Sequence, residues 1–317
     1  MKPQKLLTKN TKYILQRSVG LIILLIVISR IDPGEFLEII EHTKLSNLLV
    51  AAVLFIPSLL LRSLRLSVIM NTQGSGLRLT DYIKIYAYSI FIGSITPGRL
   101  GEFIKAVYFE KKGTPFSASI YGTLLDRLFD VLGISIIGST VFFTFSAIGA
   151  QIDSKIIVIY LIIVSLISLA IFKSSLVGTV INYLIRSAKK PSSKNLNNNI
   201  SVRQPDFKPL ALSFILTALA LICNFSSIYY LAKSIGLGIP YIDILGISAL
   251  VSLVSMIPIS FLGLGTRDIL LIQILALYGI DKVGSVAFST LIFFLLITNA
   301  LICAFSLLTD VGNLKWK

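Results

Sequence analysis

The chain strings long apolar runs between short polar joints. Residues 19–28, 156–172, 210–223 and 291–308 are dominated by Leu, Ile, Val, Ala and Phe. A helix that crosses a bilayer needs roughly 20 such residues in succession. Period-two alternation, the mark of a membrane β-barrel, is absent. The pattern predicts an all-α, polytopic membrane protein with six full spans, over residues 13–31, 45–61, 117–146, 154–172, 209–231 and 283–308. Two further apolar segments are interrupted by helix breakers. One covers residues 82–108 and contains SITPGRLGEF, starting at Ser94. The other covers residues 242–278 and contains SMIPISFLGLGTRD, starting at Ser255.

The polar joints give the orientation, because lysines and arginines collect in loops that stay inside. The N-terminal segment is basic (Lys2, Lys5, Lys9, Lys12, Arg17), and the joint after the first span is acidic (Asp32, Glu35, Glu38, Glu41). Arg62, Arg65 and Arg78 follow the second span, and Lys111 and Lys112 follow the first broken segment. A polar loop at 187–208 carries Lys189, Lys190, Lys194, Arg203 and Lys208, and the chain ends in Lys315 and Lys317. Both termini are therefore expected in the cytoplasm of a multi-pass cell-membrane protein. The first span reads as an anchor helix, since no small-residue cleavage pattern follows it. Each broken segment must enter and leave on one side, as a re-entrant hairpin. The order span, span, broken hairpin, span occurs twice, the second time from the opposite face. That is an inverted repeat within a single transmembrane domain, 1–150 the first half and 151–317 the second. Breakers at matching positions of two inverted halves point to a transport site.

Composition agrees with this picture. Of 317 residues, 55% are hydrophobic and 14% charged, against about 25% charged in soluble domains. The formal charge of +14 would suggest nucleic acid in a soluble chain. Here the cytoplasmic loops account for it, and no soluble domain is long enough to bind nucleic acid. Cys223 and Cys303 sit far apart in apolar runs and read as packing residues; His42 reads as a loop residue. No His/Cys cluster could hold zinc, so no metal and no cofactor are expected. No phosphate-binding Gly-Lys-Ser/Thr loop or nucleophile elbow occurs, which removes ATP-driven pumping and serine hydrolysis.

The charged residues inside apolar sequence carry the chemistry. Pro97 lacks an amide donor and Gly98 relaxes the backbone, so the helix should break near Thr96 and restart at Pro97 or Gly98, with its amides facing the bundle. Arg99 adds a guanidinium suited to phosphate. Gly101 belongs to the same turn. Glu102 and Lys105 follow at i+3 spacings and can share a face. Either this is an anion pocket for a lipid phosphate, or an Arg99–Glu102 pair pins the hairpin. In LLDRLFDVLG, Asp126 and Asp130 face one way and Arg127 can pair with Asp130. Ionised groups at a membrane-helix centre cost at least ~2.5–3.5 kcal/mol each, so such residues are functional candidates. They could form a gate or serve as partners for Arg99 or Lys105. In the second segment Pro258, Gly263 and Gly265 break the helix, Thr266 is a candidate N-cap, and Arg267 and Asp268 are the counterparts of Arg99 and Glu102. Arg62 and Arg65, at the inner end of span two, read as topology anchors or headgroup contacts.

With PGRLGE, DRLFD and GLGTRD in this order, the chain resembles the flippase-like transmembrane region of lysylphosphatidylglycerol synthases, including stand-alone membrane proteins of the UPF0104 type. The resemblance runs over residues 13–308. Pro97, Gly98, Arg99, Gly101 and Glu102 match the first motif; Asp126, Arg127 and Asp130 match the second. Gly263, Gly265 and Arg267 match the third, where this chain has Asp268 in place of the family's usual glutamate. The resemblance implies lipid handling without lipid synthesis, since the soluble synthase domain is missing. The expected function is a flippase-like lipid transporter. Arg99, Arg267, Lys105 and Arg127 would bind an anionic or zwitterionic headgroup, or a polyprenyl phosphate. Glu102, Asp126, Asp130 and Asp268 would balance charge or gate. The alternatives are a membrane-embedded transferase on lipid-linked substrates and a non-transporting partner of a separate lipid synthase.

Overall fold

The computed structural model describes residues 41–144, 203–256 and 265–304, together with Gly34, Ile162, Val164 and Leu166. Among them the regular elements are all helical, with no strand. The helices are α1 (Leu45–Val53), α2 (Phe55–Thr72), α3 (Leu79–Ile95), a 3-10 helix at Pro97–Phe103, α4 (Ile104–Lys111) and α5 (Phe116–Thr144). After the undescribed stretch come α6 (Phe207–Ser234), α7 (Tyr241–Ser255), α8 (Thr266–Ala276) and α9 (Lys282–Ala304). The expected spans over 13–31 and 154–172 lie almost wholly outside the described residues, as does most of the 187–208 loop.

Among the described residues, three stretches are long and apolar enough to cross a membrane: Leu45–Thr72, Phe207–Ser234 and Lys282–Ala304. The first joins α1 and α2 through Leu54. Pro57 explains the joint, because it has no N–H to donate to the Val53 carbonyl one turn back. α2 then runs on to Thr72, well past the expected end of span two. Arg62 and Arg65 are thus inside a helix and do not close it. The exposed apolar residues on α6 include Leu212, Ile215, Leu219 and Ile222, spaced by three or four residues. That stripe is the face a helix turns toward acyl chains.

α2 and α6 are packed antiparallel. Lys44 N donates to the Ser234 carbonyl (2.8 Å), Ser227 Oγ to the Ala51 carbonyl (2.5 Å) and Ser58 Oγ to the Ala220 carbonyl (3.0 Å). At the far end Gln73 exchanges two hydrogen bonds with the Arg203 backbone. Small hydroxyl side chains let the two backbones approach closely and still satisfy their polar atoms. Around this pair, α3 packs on α2 and α9, while α7 packs on α6 and α5. α4 packs on α5, and α8 packs on α9. Exchanging α2 with α6, α3 with α7, α4 with α8 and α5 with α9 leaves these contacts unchanged.

Among the described residues, two of the apolar clusters surround the breaks. One gathers Leu66, Met70, Tyr82, Ile85, Tyr86 and Phe109 about the first broken segment. The other gathers Ile244, Ile247, Leu271, Leu275, Phe288 and Ile292 about the second.

Candidate functional site

The first break forms where the breakers predict it. α3 stops at Ile95, Thr96 is extended (φ −108°, ψ 141°), and Pro97 opens the 3-10 helix. Gly98 and Arg99 then adopt left-handed backbone, at φ 60° and φ 56°. Arg99 is the one described non-glycine residue with positive φ. That conformation costs an L-residue roughly 1–2 kcal/mol. Thr96 Oγ1 accepts the Gly101 N–H (2.7 Å) and donates to the Gly93 carbonyl (3.1 Å), which clamps the turn. Gly101 is required by space: a Cβ there would lie 2.6 Å from the Ile92 carbonyl oxygen. The restart departs from expectation. The 3-10 geometry and two left-handed residues prevent an aligned row of amides at Pro97, so the local positive charge is that of Arg99 itself.

Behind this turn lies a buried ion network. Arg65, fully buried, donates from Nε to Asp126 Oδ1 (2.8 Å) and from Nη1 to Asp130 Oδ1 (2.8 Å) and Thr217 Oγ1 (3.0 Å). Lys105 donates to Asp126 Oδ2 at 2.7 Å and stands 4.3 Å from the centre of the Tyr86 ring, a cation–π contact. Arg62 reaches Asp130 at 3.2 Å. Arg127 pairs with Glu102 and approaches Asp130 at 3.7 Å. Asp126 and Asp130 do face one way, as their spacing predicts, and each meets two cations or more. Isolated charges in such a place would be prohibitive; mutual pairing is what makes them tolerable.

Arg99 stands outside this pairing. Among the described residues its guanidinium has no ion-pair or hydrogen-bond partner. The expected alternative, an Arg99–Glu102 pair, is not formed, because Glu102 turns to Arg127 and Lys105 (3.9 Å). Arg99 instead lines a central cavity of about 140 Å³.

The second break differs in its details. Gly265 (φ 81°) is the N-cap of α8, and Thr266, the expected cap, is its first helical residue. Asp268 Oδ2 accepts the Gly265 N–H at 2.8 Å. Its other oxygen takes the Ser289 hydroxyl and Arg267 Nη2 (3.3 Å), while Arg267 Nε donates to Ser289 Oγ (2.9 Å). Arg267 is only 2% exposed, and its Nη1 has no hydrogen-bond partner among the described residues. Pro258 and Gly263 lie outside the described residues.

One cavity joins the two breaks. Arg62, Arg99, Glu102, Arg127 and Asp130 line it, and so do Arg267 and Asn299. The rest of the lining mixes apolar side chains such as Leu59, Phe225 and Leu295 with hydroxyls and amides such as Ser58, Asn224 and Ser252. Lys105, Asp126 and Asp268 are not in the lining: Lys105 approaches Glu102 and Asp268 contacts Arg267, both of which line it, while Asp126 holds Lys105 and Arg65. The sequence suggests topology anchors or headgroup contacts for Arg62 and Arg65; the structure makes them partners of Asp130 and Asp126. Their i+3 spacing inside LLLRSLRLS was the available signal. Tyr86, Thr217, Ser289 and Asn299 gave no signal, since isolated polar residues are common in membrane helices.

A family described as the lysylphosphatidylglycerol synthase TM region matches residues 13–303. No curated protein matches the chain.

Proposed function

The chain belongs to the lysylphosphatidylglycerol synthase TM-region family, and on that premise we propose that it moves a phosphate-bearing lipid headgroup between leaflets. Membership makes it an integral membrane protein with a role in membrane lipid chemistry. The observation that carries the transport reading is the cavity lined by both Arg99 and Arg267. A headgroup would meet a guanidinium at each broken segment, with hydroxyls and amides for its polar atoms and apolar side chains for the glycerol and upper acyl carbons. Guanidinium forks match phosphate oxygens in geometry and charge.

The antiparallel α2–α6 pair and the exchange symmetry of the helix contacts support an inverted repeat. On this reading α3–α4 and α7–α8 are the re-entrant hairpins of the two halves, in a chain of six full spans. Both termini would lie in the cytoplasm of a cell-membrane protein. Alternating access would consist of one hairpin withdrawing while the other stays closed. The chain acts as a carrier and not as an enzyme in this account.

The test is reconstitution of the full chain in liposomes with a fluorescent phospholipid and a membrane-impermeant quencher. Lipid should cross at least about tenfold faster than in empty liposomes. Arg99→Ala should reduce that rate about tenfold or more, the worth of one or two charge-assisted hydrogen bonds. Equal rates with and without protein, or an unimpaired Arg99→Ala, would overturn the proposal. Covalently altered lipid in the same vesicles, read by mass spectrometry, would mean a transferase instead.

A further inference from the structure

The charge count at the first break is unequal. Arg62, Arg65, Arg99, Lys105 and Arg127 face Glu102, Asp126 and Asp130, five cations against three carboxylates. At the second break Arg267 and Asp268 cancel. Residues 257–264 carry no charged side chain in sequence. Two positive charges are therefore unmatched among the described residues, in a cavity whose other lining residues are neutral, apart from the Arg267 that Asp268 balances. Proton loss does not relieve the excess: guanidinium groups stay protonated, and Lys105 is held at 2.7 Å from Asp126. Burying unmatched charge is costly, and an anion in the cavity removes that cost.

The same count ranks headgroups. A phosphodiester brings one negative charge. A terminal phosphate monoester brings about −1.5 to −2 at neutral pH, and three oxygens to accept hydrogen bonds. An aminoacylated or choline headgroup adds positive charge to a site that already has too much. Arg99, Arg62 and Arg127 line the cavity together, with Tyr86 beside them. We infer that the preferred cargo is a lipid ending in a phosphate monoester, taken over phosphodiester, zwitterionic and cationic headgroups. This rests on the lipid-transport reading and narrows its substrate class.

The experiment measures binding of dioleoyl phosphatidic acid, dioleoyl phosphatidylglycerol and dioleoyl phosphatidylcholine to the purified full chain in detergent, by native mass spectrometry. Inorganic phosphate is added as competitor. At pH 8 the phosphatidic acid should bind about tenfold more tightly than phosphatidylglycerol, and phosphatidylcholine least. Lowering the pH to 5 removes the second phosphate charge, whose pKa is about 6, and should shrink the ratio toward one. Arg99→Ala should shrink it at pH 8, and Arg99→Lys should restore part of it. Equal binding of the two anionic lipids at pH 8, or tighter binding of phosphatidylcholine, overturns the inference. Displacement by inorganic phosphate at matched concentration would show that the anion site ignores the lipid, which also overturns it. Liposome transport separates the two proposals. Transport without a headgroup preference leaves the transporter standing and removes the monoester; preference without transport does the reverse.

Discussion

Asp126→Asn removes one charge from the ion network while keeping its shape. In the native structure Oδ1 takes Arg65 at 2.7 and 2.8 Å, and Oδ2 takes Lys105 at 2.7 Å. An amide has a single acceptor oxygen, and its NH2 must then face either the guanidinium or the ammonium. The unmatched positive charge at the first break rises from two to three. Breaking a buried ion pair from one side costs about 3–5 kcal/mol, because the surviving charge stays buried. No cavity is created, so the loss is electrostatic. Steric-trap unfolding of the full chain in bicelles should show Asp126→Asn less stable by that amount. Lys105→Met should be harmful in the native background. In the Asp126→Asn background it should return about 1–3 kcal/mol, because it deletes an ammonium that has lost its closest carboxylate and keeps only Glu102 at 3.9 Å. A single-variant loss below about 1 kcal/mol would refute the reasoning. So would equal penalties for Lys105→Met in both backgrounds.

Two further outcomes follow from the first break. Gly101→Ala forces a methyl group to within 2.6 Å of the Ile92 carbonyl oxygen. It should cost about 1–3 kcal/mol in the same unfolding assay and slow liposome transport with it. Arg99→Gly and Arg99→Ala should be equally poor in transport, since both lose the guanidinium. They should part in stability by about 1 kcal/mol in favour of glycine, which accepts φ 56° without strain. Equal stability of the two would mean that the left-handed turn is not maintained in solution.

Part of the site is legible in the sequence. Breaks at Thr96–Pro97 and before Thr266 follow from residues that act on their own backbone: a proline without a donor, and glycines free of Cβ. Asp126 and Asp130 can be placed on one face because helical spacing dictates it. Who pairs with whom is not legible in the same way. Arg99 and Glu102 are three residues apart and would be natural partners on a regular helix, yet the left-handed turn at Gly98 and Arg99 directs them differently. Glu102 turns to Arg127, and Arg99 is left facing the cavity.

By itself the sequence determined that the chain is a helical membrane protein, the helices near 117–146, 209–231 and 283–308, and the break at Thr96–Pro97; the joint at Leu54 and the run of α2 on to Thr72 came only from the structure. Each depends on local chemistry: apolar length against bilayer thickness, and backbone donors against their removal. Only the tertiary structure decided that Arg65 of α2 meets Asp126 and Asp130 of α5, with Thr217 of α6 as a further acceptor. It alone placed Arg99 and Arg267 on one cavity. A low-dielectric interior requires that buried charges find partners, and this much any sequence with such residues announces. The choice among partners tens of residues apart belongs to the packing of antiparallel helices, which no local pattern encodes.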